Sequence, residues 1–297
     1  VIESRGLGDV YKRQVTALDP QAWPSGKGEI LAGLNPEVIS RYRERYGENW
    51  SEPCLRDFQE QIREYEKNRR ELDQLLDRLK KEVSLSESEA ISPEQMTELE
   101  QKLPEDLRQE EKELRQKAYA YIGRVSVEVG DVVTFPALQV HSLQHGIRVI
   151  EFQTPHYERL IVMFAQKVLT QNHWDTDRAM DLINTEPYRL PKPQLLTEEG
   201  GYLEERIVDF PDFSSERIRM DENISRKFQC EGRYHLIICV KGKLRLESQS
   251  GSSLELLPEE AVFLPASTSF YRITNSGADS MIFLRAVPVK AHSAKLD

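Results

Sequence analysis

From residue 123 onward apolar and polar positions alternate with a period of two. Val125, Val127 and Val129 are separated by polar side chains, Gly130-Asp131 turns the chain, and residues 132–135 form a short apolar run. Residues 147–152 and 160–164 are two more runs of strand length. After residue 205 come eight further short runs: 206–208, 216–220, 236–240, 243–248, 253–257, 261–264, 269–274 and 280–286. Turn residues separate most of them, the signature of β-sandwiches or barrels. Upstream, one strand over 29–34 stands among Pro20, Pro24, Gly26, Gly28 and Gly33.

Residues 36–122 follow a different rule. Phe58, Ile62, Tyr65, Leu72, Leu76, Leu79 and Val83 recur at steps of four and three, broken only by Arg69. That spacing predicts a long helix with a narrow apolar seam. Residues 84–91 read as a connection. Ser92-Pro93-Glu94-Gln95 matches a capping box with Pro at the first helical position, and Leu107, Leu114, Ala118 and Tyr121 carry a further helix. A seam this narrow needs one neighbouring helix, so a hairpin packed on the rest of the chain is expected. Self-association through the seam is the alternative. Asp175 or Thr176 caps a short helix running through Met180 and Ile183, and the Pro-bearing stretch after it reads as a linker.

The N-terminus stands apart. Residues 4–14, SRGLGDVYKRQ, correspond to a transposon-based sequencing adapter read in frame. Residues 1–14 are therefore expected to be an assembly artefact, with the open reading frame cut near Val15. The expected organisation is 15–35 and 123–185 for a first β-barrel with an interdomain helix, and 36–122 for a helical insertion. A linker over 186–204, a second barrel over 205–290 and a tail over 291–297 complete it.

Charge narrows the partners. A net charge of −10 and a pI near 5.3 argue against a nucleic-acid partner. No apolar run has the length of a membrane-spanning helix. An anionic small molecule remains compatible, because a few local Arg or Lys residues can override the global sign. Cys54, Cys230 and Cys239 show neither metal spacing nor a paired framework, and read as thiols of a reducing cytoplasm.

One segment carries chemistry. Residues 130–141, GDVVTFPALQVH, fit the second cupin motif, G-x5-P-x-G-x2-H, with Leu138 in place of its second Gly. The Gly-Asp turn starts a strand, Pro136 ends it, and His141 opens the next with a neutral imidazole suited to Zn²⁺ or Fe²⁺. With Val149-Ile150-Glu151-Phe152-Gln153, Tyr157-Glu158-Arg159 and residues 176–183 (TDRAMDLI), this stretch resembles type I phosphomannose isomerases of the cupin superfamily. The resemblance implies a mainly β protein of two cupin barrels, the first incomplete, with a large helical insertion.

It further implies a Zn²⁺-dependent aldose–ketose isomerase that interconverts mannose 6-phosphate and fructose 6-phosphate by proton transfer through an enediol. His141 would be a zinc ligand, the others lying upstream of Val15, and Arg159 the arginine that stabilises developing negative charge. Arg148 and Lys167 are candidate phosphate partners, and Glu151 and Gln153 share a strand face that could line the pocket. His145 is expected at the rim, His156 matches no ligand position, and His173-Trp174-Asp175 looks like helix entry and packing. In the second barrel Phe270 stands where the motif would put a His, five residues after Pro265. His235 is single where a metal site would have His-x-His, so that barrel is expected to be structural. With one ligand of about four, the polypeptide is expected to be inactive and poorly soluble. A non-catalytic sugar-binding bicupin is the alternative.

Overall fold

The computed structural model describes residues 2–5, 11–82, 93–154, 159–165, 168 and 171–289. Two antiparallel β-sandwiches lie in series. The first pairs a five-stranded sheet, in the order β4 (Ile122–Val127), β3 (Gly28–Leu34), β6 (His141–Ser142), β1 (Ile2–Arg5), β8 (Arg159–Met163), with a three-stranded sheet of β5 (Val132–Phe135), β2 (Tyr11–Leu18) and β7 (Ile147–Gln153). Alternation explains the layering. Val15, Val133, Phe135, Ile30 and Val127 point inward and form one buried cluster.

The helices enter between two strands that pair with each other. Asn35 ends β3, accepts a hydrogen bond from Glu37 N at 3.0 Å and so caps α1 (Pro36–Tyr46). Its amide also donates to Ala120 O at 2.9 Å, and Asn35 N donates to Tyr121 O at 2.8 Å. One residue thus closes the base of the whole helical excursion. Within it, α2 (Ser51–Glu82) packs on α4 (Glu105–Tyr119), with α3 (Pro93–Gln101) lying against its far end. Phe58, Ile62 and Tyr65 are fully buried against β8 and α5 (Thr176–Leu182). Leu72 and Leu76 form a second cluster with Leu99 and Leu103. Each such side chain contributes about 2 kcal/mol by leaving water. The seam is therefore covered within the chain, as a packed hairpin requires. Arg69, which breaks it, is buried and donates to Asp73 Oδ1 at 3.0 and 2.7 Å.

The second sandwich is larger. A six-stranded sheet runs β16 (Ala261–Leu264), β13 (His235–Lys241), β18 (Met281–Pro288), β11 (Phe213–Met220), β10 (Tyr202–Asp209), β9 (Gln194–Glu199). Facing it are β12 (Ser225–Gln229), β17 (Phe270–Asn275), β14 (Leu244–Ser248) and β15 (Ser253–Leu256). Two readings of the sequence are corrected here: strand β9 lies inside the stretch expected to be linker, and β12 was not expected. The capping-box Ser92 and the connection over 84–91 lie outside the described residues, as does the tail.

The two sandwiches pack sheet on sheet. Val132, Ile150 and Phe152 of the first meet Ile207, Ile238, Val240 and Leu284 of the second. Arg217 Nη1 donates to Gly130 O at 2.6 Å, and Arg148 pairs with Glu259 at 2.6 Å across the same junction. The free cysteines are all buried, with burial pushing the Cys54 and Cys239 thiols up to about 11. Among the described residues no helix is long and apolar enough to cross a membrane.

Candidate functional site

The segment 130–141 folds as its residues dictate. Gly130 has φ +98°, a conformation open to Gly at no steric cost. Its N–H donates to Val15 O, and Val15 N donates to Asp131 O, both at 2.9 Å. The Asp131 carboxylate accepts from Glu128 N at 2.7 Å and locks the turn. After β5, Gln139 N donates to Pro136 O at 3.2 Å, closing a turn whose third residue is Leu138 at φ +66°. That position demands a left-handed residue, which is why the motif has Gly there. Leu138→Gly is expected to be more stable than Leu138→Ala by about 0.5–1 kcal/mol, because both lose the Leu packing and only Gly relieves the left-handed strain. Leu138→Ala keeps the strain, loses packing and lowers stability; urea unfolding of both variants checks the pair.

The turn delivers His141 to the barrel interior, where it is 1% exposed. Its Nδ1 lies 2.8 Å from Gln139 O, so Nδ1 carries the proton and Nε2 the lone pair in the neutral ring. The imidazole stacks on Phe135 at 4.2 Å between centroids, and Phe135 stacks on Tyr188 at 5.5 Å. The Arg13 guanidinium lies 5.7 Å from the Phe135 centroid and pairs with Glu151. Gln14 Oε1 and Gln139 Nε2 are buried without a hydrogen-bond partner among the described residues. Burial raises the Tyr188 phenol well above its ordinary value, so it stays neutral.

This set does not fit a zinc centre by itself. Zinc sites use three or four donors, and among the described residues no three His, Cys, Asp or Glu side chains converge. His141 has the tautomer a ligand would need, held by a carbonyl on the opposite nitrogen, and its ring stacks on Phe135.

The remaining candidates are dispersed. Arg159 is the first residue of β8, half-buried and two strands from His141 in the same sheet, with backbones about 12 Å apart by strand spacing and rise. Arg148 is on the opposite face of β7 from Glu151 and is held by Glu259, an inter-barrel link rather than a phosphate grip. Gln153 ends β7 at the cleft between the barrels. Lys167 lies outside the described residues, as do His156, Tyr157 and Glu158. His145 contributes its carbonyl to Trp23 Nε1 at 2.9 Å, and Trp174 packs 5.3 Å from Tyr65, a packing role as expected.

Sequence reasoning missed Arg13, Gln14, Phe135 and Tyr188. The first two sat in the stretch set aside as adapter and Tyr188 in the presumed linker. Phe135 had a usable signal, its inward register two residues after Val133.

The second barrel holds a polar layer of its own. Arg285 Nη2 donates to Glu204 at 2.8 Å and Nε to Glu216 at 3.4 Å, while His235 Nδ1 meets the Tyr271 hydroxyl at 2.8 Å. Burial, then the Arg285 and Arg233 charges, lower the His235 pKa from 6.5 to about 4. The folded value lies below the unfolded one. Stability is therefore full above pH 6.5 and falls with acidification down to about pH 4, by about 3 kcal/mol. His235→Gln is expected to flatten that segment of the stability–pH curve measured by denaturant unfolding.

No family profile matches the chain, and no curated protein matches it in sequence. Solved structures do match. The mannose 6-phosphate isomerase of Bacillus subtilis aligns with a TM-score of 0.57 at 11% identity, over 96% of this chain and 70% of that one. The apo mannose 6-phosphate isomerase of Salmonella typhimurium aligns with a TM-score of 0.59 at 14% identity, over 94% of this chain and 66% of that one. This chain thus spans about two thirds of the length of the proteins it matches. At such identities the likeness concerns the fold: the chain has the cupin-type, helix-bearing β architecture of the mannose 6-phosphate isomerases.

Proposed function

We propose that this protein is a sugar-phosphate isomerase of the mannose 6-phosphate type, acting on mannose 6-phosphate and fructose 6-phosphate inside the first barrel. The observation that carries the reading is the match of the whole arrangement, both barrels and the helical module, to isomerase structures over more than nine tenths of the chain. The 130–141 turn supports it by setting His141 in the interior, in the same barrel as the Arg13–Glu151 pair.

Moving a proton between C1 and C2 requires a grip on the sugar oxygens and positive charge where an enediolate develops. Glu151 offers a carboxylate to hydroxyl groups. Arg159, at the end of β8, is the candidate for the developing charge. Zinc, when bound, would polarise substrate oxygens, but the described donors do not make its site and no step is assigned to it.

Too few donors converge among the described residues to hold zinc tightly. The polypeptide is accordingly expected to bind the sugar phosphate with little turnover unless Zn²⁺ is added. Calorimetry with mannose 6-phosphate, beside a coupled assay with added Zn²⁺ and with chelator, tests this on the purified chain. Chelator-sensitive turnover would establish a zinc isomerase. Neither binding nor turnover would contradict the isomerase reading. Binding of sugars regardless of the phosphate would favour the second reading, a non-catalytic sugar-binding bicupin. The ion pairs that already engage Glu151 and Arg148 speak for that reading.

A further inference from the structure

We propose that the recess between α1 and Tyr121 is a binding site for a small dianion, a phosphate group or a short dicarboxylate. The proposal stands independently of the isomerase reading. The recess lies at the base of the helical module, beside the Asn35 N to Tyr121 O bond that closes it. Arg41, Tyr42, Arg45 and Tyr121 line it. Its volume is about 220 Å³, the room of about seven waters. A phosphate or a short dicarboxylate fits that space, and a hexose phosphate does not.

Its charge is what calls for an anion. Arg41 and Arg45 are one turn apart on α1, so they are neighbours on the helix surface and their like charges repel. Both are exposed, and among the described residues neither forms an ion pair or a hydrogen bond. Arg45 lies 5.2 Å from the Tyr46 ring centroid, a contact that brings no negative charge. Other arginines of the module are matched to carboxylates. Arg63 pairs with Asp177, Arg69 with Asp73 and Arg70 with Glu66, at 2.8, 2.7 and 2.8 Å. Arg43, between the two, lies instead over Trp50, 5.1 Å from its centroid.

The carboxylates nearby do not fill this role. Asp57 accepts the Tyr42 O–H at 2.6 Å and lies 3.7 Å from Arg56 Nε, so its charge is already engaged. Glu37 and Glu44, on the same helix, pair with neither Arg41 nor Arg45. The Tyr121 hydroxyl is 3.3 Å from that of Tyr42. With the Tyr42 proton given to Asp57, the Tyr121 O–H is the one left to turn toward a ligand. Its ring is held by stacking on Phe58 at 5.0 Å between centroids, and burial keeps the phenol protonated. Two guanidinium forks and one hydroxyl suit a doubly charged oxyanion. A dianion neutralises both arginines and ends their repulsion, whereas a monoanion neutralises one.

The test titrates sodium phosphate, succinate and acetate into the full chain at constant ionic strength, by calorimetry and by thermal unfolding. Excess mannose 6-phosphate is present, so that phosphate does not enter the first barrel. Saturable binding of a dianion is expected, weakened at least about tenfold in Arg41→Gln and in Arg45→Gln, with acetate weaker by a similar factor. Tyr121→Phe is expected to weaken it about threefold. Without a dianion the two arginine variants are expected to unfold within about 2 °C of the parent, as exposed changes do. The dianion then raises the parent's midpoint and leaves theirs in place, which a merely structural role of the arginines would not produce. Tighter binding of phosphate assigns a phosphate group to the recess, and tighter binding of succinate a dicarboxylate. Mannose 6-phosphate affinity is expected to be the same in the arginine variants, which separates this site from the barrel. No saturable binding of either dianion would overturn the proposal. So would undiminished affinity in both arginine variants, or acetate binding as tightly as the dianions.

Discussion

Replacing Phe135 by Ala is expected to destabilise the protein by about 3–5 kcal/mol, the range for removing a fully buried aromatic ring. Phe135 is 0% exposed. It carries three neighbours at once: His141 stacked at 4.2 Å, Tyr188 stacked at 5.5 Å, and the Arg13 guanidinium 5.7 Å from its centroid. Removing the ring opens a cavity between the two sheets and frees the imidazole from its stacking partner. Phe135→Leu, which refills most of the volume, is expected to cost much less, about 1–1.5 kcal/mol. Denaturant unfolding with unchanged m-values measures both. A loss under about 1 kcal/mol for Phe135→Ala would contradict the packing described.

Arg285→Met is the second large effect, also about 3–5 kcal/mol, for a different reason. The guanidinium neutralises two interior carboxylates, Glu204 at 2.8 Å and Glu216 at 3.4 Å, and the Glu216 side chain is only 4% exposed. Deleting the cation leaves buried negative charge with only Arg206, 3.5 Å from Glu216, as partial compensation. Arg285→Met combined with Glu204→Gln and Glu216→Gln is expected to recover at least half of the loss. Recovery would identify charge, rather than volume, as the cause. No recovery would assign the loss to packing of Arg285 over Phe228, whose centroid lies 4.9 Å away.

What could be read from the sequence follows from where the information sits. Strands with one buried face announce themselves locally. The alternation around Val125–Val127 and the run 132–135 place β4 and β5 within about two residues. The break at Arg69 was visible in the seam, and its i+4 partner Asp73 explains how a charge is carried there. Leu138 was visible as a departure from the motif. Its positive φ gives the physical content of the missing Gly.

Strand β9 left no such mark. Five of its six residues are exposed, Leu195 and Leu196 among them, so no period of two distinguishes it from a linker. Strand β12 buries only Phe228. The fate of Arg148 was equally hidden, since its partner Glu259 lies 111 residues away on another domain. Local patterning cannot reveal a contact of that range. The site was therefore legible as a turn and a histidine with its local neighbours Phe135 and Gln139, while Tyr188, which stacks on Phe135, comes from far along the chain.

Calorimetric titration of the chain with mannose 6-phosphate, alongside its Arg159→Gln variant, tests the central claim most directly. The account predicts saturable 1:1 binding, competed by inorganic phosphate and within about twofold of the parent in Arg159→Gln, because that charge is assigned to the enediolate and not to the bound sugar phosphate. Absence of saturable binding, or binding that inorganic phosphate does not compete, would contradict it.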